Sequence, residues 1–335
     1  LTSVKYIFRK TNPLFFSIEK VFSALTENLK ERISVKTEFM PYYSSSISNM
    51  VRNIRYAKNN KADIYHVTGD VHYVVLGLPA KKTILTIHDS VFIRDSRGLK
   101  QKFFIWIFLK LPVKHCRFIT TISEKSKKEI IHYTSCDPSK IVVIPNPVNS
   151  QIYYKEREFN NTNPTLLFIG STQNKNLVRI IEALSGISCN LEILGSIPNE
   201  HKYLLEKYKI NFNQSINLSE PEMADRYSDS DIVVFPSLYE GFGLPILEGQ
   251  KAGRAILTSN ISPMKEVAGD GACFVDPYDV ASIRSGIRKI IEDSQYRQDI
   301  IKKGFENIKQ YDSQVIADKY LKLYETIQDT ETCVA

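Results

Sequence analysis

The sequence predicts an α/β protein built from two Rossmann-like, doubly wound parallel sheets that face each other across a central cleft. Three observations carry this expectation. Short β-branched runs alternate with amphipathic helical patterns along all 335 residues. Many of those runs are continuously apolar, as strands covered by helices on both faces should be. One stretch near the middle, 145–164 (PNPVNSQIYYKEREFNNTNP), has neither period, and its prolines and asparagines read as an interdomain linker.

In the first domain, placed at 1–150, strands are expected at 4–8, 63–67, 83–88, 118–122 and 141–144, with helices at 17–29 and 123–132. Ser123 suits the N-cap of the second helix. In the second domain, 151–310, strands are expected at 165–169, 191–194, 231–235, 255–258 and 273–275, with helices at 177–184 and 281–291. A last helical period at 313–327 lies in a C-terminal piece, 311–335, expected to pack back on the first domain. Open α/β sheets bind ligands beyond the carboxyl ends of their strands, so the loops that follow the strands are where function is sought.

An apolar content of 43% and a charged content of 24% exclude a disordered, collagen-like or coiled-coil body. The net charge of +7 is uneven. Residues 1–150 carry 24 Lys and Arg against 11 Asp and Glu, while the remainder carries 20 against 26. A basic front half implies an anionic partner: nucleic acid, a membrane surface or a phosphorylated substrate. Nucleic acid is disfavoured because the aromatics follow core periods and no recognition motif is present. No G-x-G-x-x-G follows a strand, which disfavours a nicotinamide cofactor. No cofactor is expected at all.

Cys116, Cys136, Cys189, Cys273 and Cys333 are scattered and never in C-x-x-C spacing, so a reducing cytoplasm is expected rather than a disulfide framework or a zinc knuckle. The first ten residues lack a basic patch followed by an apolar run, so no secretory signal is expected. The most apolar window, 103–113 (FFIWIFLKLPV), falls short of the about 20 residues a membrane span requires. With four lysines around it, the window fits either a core helix with charged edges or an interfacial helix at a membrane surface.

The densest chemical signal is 236–248, PSLYEGFGLPILE. A strand ending at Phe235 runs through a turn holding Glu240, Gly241, Phe242 and Gly243 into a helix that starts near Leu244. Pro245 suits its first position and Gly253 its end. Glycines admit a close approach of backbone N–H groups, and a helix N-terminus favours negative charge. Glu240 precedes the helix and Glu248 lies inside it, so the two carboxylates would meet different parts of an extended ligand. A nucleotide sugar fits, with its phosphate at the helix start and its hydroxyls on the carboxylates.

The whole string PSLYEGFGLPILEGQKAG resembles the signature of the retaining glycosyltransferases of family 4, and the likeness extends from Phe168 to about Asp279. That resemblance implies the two-domain GT-B fold and a nucleoside-diphosphate-sugar donor bound by the back domain, and since no His, Cys or carboxylate grouping has metal spacing, no metal is expected. It implies Glu248 on the ribose and Glu240 on the donor sugar. A second string, LLFIGSTQNKNL at 166–177, is expected to run from a strand ending at Gly170 through Ser171 and Thr172 to a helix opening near Asn174. Lys175 at such a helix start would oppose the helix dipole, which a bound diphosphate would relieve. The family pattern has a diphosphate-binding lysine here. Many relatives carry Arg after the glycine where this chain has Ser171, which shifts phosphate binding toward Lys175, Ser171, Thr172 and backbone amides.

In the front half, His66 lies in ADIYHVTGD and His88 in TILTIHDS, each closely followed by a carboxylate, Asp70 or Asp89. TIHD resembles the family's acceptor-side histidine motif and implies His88 beside the reacting centre, with His66, Gly69, Asp70 and Asp89 on the acceptor side. The family's glycine-rich loop after the first strand is replaced by FRKTNPLFFSIEK, where Arg9 and Lys10 either meet an anionic acceptor or are simply solvated. Asp229-Ser230-Asp231 spells a D-x-D but opens a buried strand away from the cleft, so it is not expected to bind metal.

The sequence therefore predicts a metal-independent, retaining hexosyltransferase with His88, Glu240 and Lys175 at the reaction. Same-face attack, with the phosphate taking the acceptor proton, is what the resemblance implies. The expected acceptor is a glycan or a lipid-linked glycan of bacterial surface polysaccharide or lipopolysaccharide assembly. The expected location is the cytoplasm, peripheral on the inner face of the membrane. The alternative is a non-catalytic scaffold that keeps the nucleotide-sugar pocket.

Overall fold

A computed structural model describes residues 1–12, 17–59, 61–90, 93 and 98–332, so Cys333 and residues 13–16 of the string FRKTNPLFFSIEK lie outside it. The chain forms two compact units, Leu1–Pro147 with the C-terminal segment from Ser313, and Val148–Asp312.

The first unit contains β1 (Ser3–Phe8), α1 (Ser17–Leu29), β2 (Ser34–Phe39), α2 (Ile47–Ala57), β3 (Ile64–Val67), β4 (Thr83–Ile87), α3 (Gly98–Phe104), a π-helical turn (Ile105–Lys110), α4 (Leu111–His115), β5 (Phe118–Thr121), α5 (Glu124–Thr134) and β6 (Ile141–Val143). Among the described residues these strands make one parallel sheet in the order β2-β1-β3-β4-β5-β6. β1 (SVKYIF) and β4 (TILTI) are buried along nearly their whole length, which is why they read as continuous apolar runs. Ser123 caps α5 by accepting the Ser126 N–H at 3.1 Å.

The C-terminal helix α13 (Ser313–Thr332) belongs to this unit. Its buried residues Ile316, Tyr320, Tyr324 and Ile327 recur every three to four positions and join Phe22, Leu25 and Leu29 of α1 in one core cluster. Burial of each such side chain is worth about 1.5–3 kcal/mol, ample to hold the helix there.

The second unit runs β7 (Thr165–Ile169), α6 (Leu177–Leu184), β8 (Asn190–Leu194), α7 (Asn199–Lys207), β9 (Asn211–Ser215), α8 (Glu220–Asp229), β10 (Ile232–Phe235), α9 (Leu244–Lys251), β11 (Ala255–Ser259), α10 (Met264–Ala268), β12 (Cys273–Val275), α11 (Val280–Glu292) and α12 (Ser294–Ile308). Its parallel sheet is ordered β12-β11-β10-β7-β8-β9. The segment before β7 has no regular structure but is strapped to α8 and to the residues between it and β10. Tyr153 donates to Asp225 at 2.5 Å, Lys155 meets Asp229 at 2.7 Å and Arg157 meets Asp231 at 3.2 Å.

Two strands, β2 and β9, are missing from the sequence expectation. Both are edge strands, and their sequences, SVKTEF and NFNQS, have no buried residue, so no apolar run marks them.

Candidate functional site

In each sheet the strand order reverses at one point, and loops leaving the two strands on either side of it diverge to open a crevice. In the second unit that point lies between β7 and β10. The loop after β7 begins at Gly170, whose φ of +129° suits glycine. A Cβ there would lie 2.5 Å from Cγ of Lys175, so the missing side chain lets Lys175 fold back over the strand end.

Lys175 does not open a helix, as the sequence suggested. It closes a 3₁₀ turn (Gln173–Lys175), and Asn176, in the left-handed region with φ 68°, redirects the chain into α6. The buried Asn176 carboxamide donates to the carbonyls of Pro236 at 3.0 Å and Pro277 at 2.7 Å, and its oxygen accepts from Arg179 at 3.0 Å. The Asn174 carbonyl accepts the Leu238 N–H at 2.8 Å, and its side chain donates to the Tyr239 carbonyl at 2.8 Å. The loops after β7 and β10 are thus fastened to each other. Their joining sets Lys175 Nζ 2.7 Å from Oε1 of Glu240 and 4.7 Å from the centre of the Phe235 ring. The charge that the sequence left facing a helix dipole has a carboxylate and an aromatic face instead.

Ser171 accepts the Ser196 N–H at 3.0 Å and packs against Gly195, whose φ of +139° and absent Cβ make room for the hydroxyl. Thr172 donates to Asn174 Oδ1 at 2.5 Å. On the other side, Gly243 (φ +120°) caps α9, with Leu244 and Pro245 in its first turn. Phe242 is buried, its ring edge-on to Tyr311 at 5.9 Å, so among the turn residues it offers a ligand its backbone rather than its side chain. Glu248 is also buried, and its Oε2 accepts the Tyr227 hydroxyl at 2.5 Å. Burial and the neighbouring carboxylate push the Tyr227 phenol well above its usual pKa, so it stays a donor.

In the first unit the reversal lies between β1 and β3. Arg9, just past β1, pairs with Asp70, just past β3, and with Glu19 of α1 at 3.1 Å. Lys10 lies 4.7 Å above the Tyr43 ring. Arg9, Lys10, Tyr42, Tyr43 and Asp70 help line a cavity of about 230 Å³. Gly69, at φ +147°, carries the His88 ring against its Cα, and a Cβ would come within 2.8 Å of His88 Cδ2. His88 donates from Nε2 to the Thr68 carbonyl at 2.8 Å, which leaves Nδ1 with the lone pair. Burial lowers its pKa, so the ring is neutral at pH 7. Asp89 follows it, half-buried.

His66 is not a pocket residue, contrary to the sequence expectation. It is fully buried, its Nδ1 2.8 Å from the Tyr324 hydroxyl and its Nε2 2.7 Å from Thr86 Oγ1, and it ties α13 to the sheet. Burial, helped by His88, pushes its pKa down to about 3. Asp229 and Asp231 of the D-x-D bind the strap before β7, through Lys155, Arg157 and the Thr165 N–H. Sequence reasoning passed over Asn176, Gly195 and Tyr227. The first two sit in loops whose turn type is fixed only by tertiary bonds, and Tyr227 reads as an ordinary apolar helix position.

A family model described as Glycosyltransferase Family 4 matches residues 7–152, and one described as Glycosyl transferases group 1 matches residues 149–307. The O-antigen chain mannosyltransferase RfbU of Salmonella typhimurium is 28% identical over 240 residues, covering 68% of this chain and 67% of that protein. The serotype-specific mannosyltransferase WbdA of Escherichia coli is 26% identical over 246 residues, 65% of this chain but 30% of that protein, so the chain spans less than a third of it. Anabaena Alr3699/HepE, solved in complex with UDP and glucose, superposes with a TM-score of 0.77 at 12% identity, covering 97% of this chain and 100% of that one. Two Rossmann-like units of this order, with the two family models meeting near their junction, place the chain among the family 4 glycosyltransferases of the GT-B fold.

Proposed function

We propose that the chain is a retaining, metal-independent glycosyltransferase that moves a hexosyl group from a nucleoside-diphosphate sugar to an acceptor hydroxyl in bacterial surface polysaccharide assembly. The observation that carries this reading is the Lys175–Glu240 pair at the strand-order reversal of the second unit. Cleavage of a sugar–diphosphate bond builds negative charge on the departing phosphate. Lys175 and the amides at the start of α9 would stabilise that charge, the kind of fixed electrostatics that supplies the largest share of many rate enhancements. Gly170, Ser171 and Thr172 border the same loop.

Glu240 would leave Lys175 in part to the diphosphate and accept donor-sugar hydroxyls, while Glu248, held by Tyr227, would accept from the ribose. On the acceptor side, neutral His88 offers Nδ1 to a hydroxyl, and Gly69, Asp70, Asp89, Arg9 and Lys10 border the space beyond β1, β3 and β4. No side chain is assigned as a nucleophile. The acceptor proton would pass to the leaving phosphate on the face the sugar departs from, which retains the anomeric configuration.

In this reading Lys175 supplies the local cation, so no metal is required. The sugar favoured is mannose, by likeness to the mannosyltransferases RfbU and WbdA. The acceptor favoured is a lipid-linked glycan, with the protein peripheral on the cytoplasmic face of a membrane. Among the described residues no helix is long and apolar enough to cross one.

The test is a thermal-shift and hydrolysis screen across UDP-, GDP-, ADP- and dTDP-sugars, mannosyl donors first, with the product's anomeric configuration read by NMR. A stabilising donor that turns over with retention in the presence of a chelator is expected. Inversion, or turnover abolished by the chelator, would refute the corresponding part.

A further inference from the structure

Two neighbouring cations past β1 are held in different ways. Arg9 is taken by Glu19 at 3.1 Å and by Asp70. Lys10 is half-buried with Nζ 4.7 Å from the centre of the Tyr43 ring, and among the described residues no carboxylate pairs with it. Tyr42 repeats that arrangement, since the Arg52 guanidinium lies 5.5 Å from its ring centre, again with no carboxylate partner among the described residues. The cause is in the sequence. No Asp or Glu occurs between Glu38 and Asp63, whereas Arg52, Arg55, Lys58 and Lys61 do. The loop from β2 to α2, which carries both tyrosines, lies within this acid-free stretch.

Tyr42 and Tyr43 are exposed, at 38% and 49%, yet their loop is fixed from beneath. Buried Asn53 accepts the Tyr42 N–H at 3.2 Å and donates to the Tyr42 carbonyl and to the Tyr73 hydroxyl, both at 2.9 Å. The Tyr73 hydroxyl in turn lies 2.9 Å from Ser44 Oγ, and Tyr43 donates to the Thr11 carbonyl at 3.2 Å. Buried polar groups cost free energy unless they are bonded, and here their bonds go to holding an exposed loop in one shape. Exposed tyrosines so held present rigid, partly apolar faces with little entropy left to lose, a surface suited to the C–H face of a sugar ring. Beside them is the cavity that Arg9, Lys10, Tyr42, Tyr43, Ser44 and Asp70 help to line. At about 230 Å³ it is smaller than the roughly 300–1,000 Å³ of pockets for drug-sized ligands, so it suits one ring rather than a chain of them.

We propose that this cavity is a subsite for a single acidic sugar ring, with the ring face on the tyrosines and its oxyanion, a ring carboxylate or a phosphate ester, on Lys10. Both acids near the exit of β1 are turned on Arg9, so the charge that remains to meet a ligand is that of Lys10, with Arg52 behind the tyrosines. Asp70, steadied by Arg9, accepts from a ring hydroxyl. That the ring belongs to the acceptor rests on the function proposed above; the subsite itself does not.

The full chain would be titrated by ligand-observed NMR, with and without UDP or GDP. The probes are the methyl glycosides of glucuronic, galacturonic and mannuronic acid, their neutral parents, glucose 1-phosphate and inorganic phosphate. At least one acidic ring is expected to bind about tenfold or more tightly than its neutral parent and than inorganic phosphate, a preference that shrinks as salt is raised. Whether that ring is a uronide or the sugar phosphate distinguishes the carboxylate from the phosphate ester. Lys10→Gln should abolish the preference and leave the affinity for the neutral ring nearly unchanged. Tyr43→Leu should weaken acidic and neutral rings alike, with the melting temperature kept.

Equal affinity for acidic and neutral rings would overturn the proposal, as would binding of no ring at all or a preference that survives Lys10→Gln. Inorganic phosphate bound as tightly as any ring would make Lys10 a bare anion site and equally overturn it. An acidic ring bound by a chain that answers to no nucleotide sugar would count against the proposed function alone.

Discussion

The two units place a cation and a carboxylate at the same topological position, and they use the pair differently. Past β7 and β10, Lys175 meets Glu240 at 2.7 Å, over an aromatic ring and beside glycines that keep the approach open. Past β1 and β3, Arg9 is shared by Asp70 and Glu19, two carboxylates for one guanidinium. Burial works against the Arg9 charge, but Glu19 and Asp70 more than offset it, and its pKa is raised. In the proposed function a lysine set against one carboxylate is the group an incoming diphosphate recruits. An arginine already held by two acids is better suited to bracing the exit of β1. The same sheet order thus yields one centre suited to charge that changes during reaction and one suited to holding shape.

The largest expected effect falls on the first centre. Glu240→Ala and Lys175→Ala should each lower kcat by two to three orders of magnitude, about 3–4 kcal/mol of lost stabilisation where charge develops. The measurement is single-turnover transfer with the donor found in the screen. Near-normal turnover in both variants would erase the distinction between the two centres.

The next effect separates the units by pH. The first unit buries His66 and His72 as neutral rings, with pKa values pushed down to about 3 and about 4, in each case mainly by burial. In the unfolded chain they titrate near about 6.5. A native state that binds fewer protons than the unfolded one loses stability as pH falls. Their contribution is complete above about pH 6.5 and is lost below it, by about 1.4 kcal/mol for each ring at one pH unit under that value. The second unit has one histidine, His201, only half-buried. Hydrogen exchange should therefore show the first unit opening more readily at pH 5.5 than at pH 7.5, after correction for intrinsic rates, with the second unit little changed. Trp106 fluorescence melts provide the same reading for the first unit.

Much of this organisation was legible in the residues, and what was not has identifiable physical causes. Central strands such as TILTI and IVVF announce themselves because both faces are covered. The edge strands SVKTEF and NFNQS do not, since solvent relieves them of the apolar requirement. The string from Glu240 to Glu248 was readable because glycine, proline and helix period coincide there. Lys175 was placed in the right loop but on the wrong element. The turn at Asn176 is fixed by its bonds to Pro236 and Pro277, 60 and 101 residues away, which local sequence does not display. His66 was misplaced for a related reason. Its partner Tyr324 lies 258 residues on, in a helix whose docking decides whether a histidine at a strand end faces a pocket or a core.

A smaller change sharpens the account of Lys175. Gly170→Ala adds a Cβ at a φ of +129° and within 2.5 Å of Lys175 Cγ, so backbone strain of about 1–3 kcal/mol or a displaced lysine must follow. Transfer should slow about ten- to hundredfold. If displacement of Lys175 is the cause, the loss should largely vanish in a Lys175→Ala background, a non-additivity that a double-mutant cycle measures directly.

The smallest effect concerns Tyr227, which touches no ligand in the proposed scheme and acts through Glu248. Its hydroxyl is buried and donates to Glu248 Oε2 at 2.5 Å. Tyr227→Phe keeps the ring in the core and removes one donor, a loss of about 1 kcal/mol or somewhat more for a bond to a charged acceptor. If Glu248 holds the ribose in ground state and transition state alike, the loss should raise the donor KM about fivefold and leave kcat nearly unchanged. A general loosening of the second unit would instead lower the melting temperature and kcat together. A KM increase that disappears with a donor lacking the ribose 2′- and 3′-hydroxyls would tie the effect to the Glu248 carboxylate, and a kcat loss with unchanged KM would take Tyr227 out of the donor site.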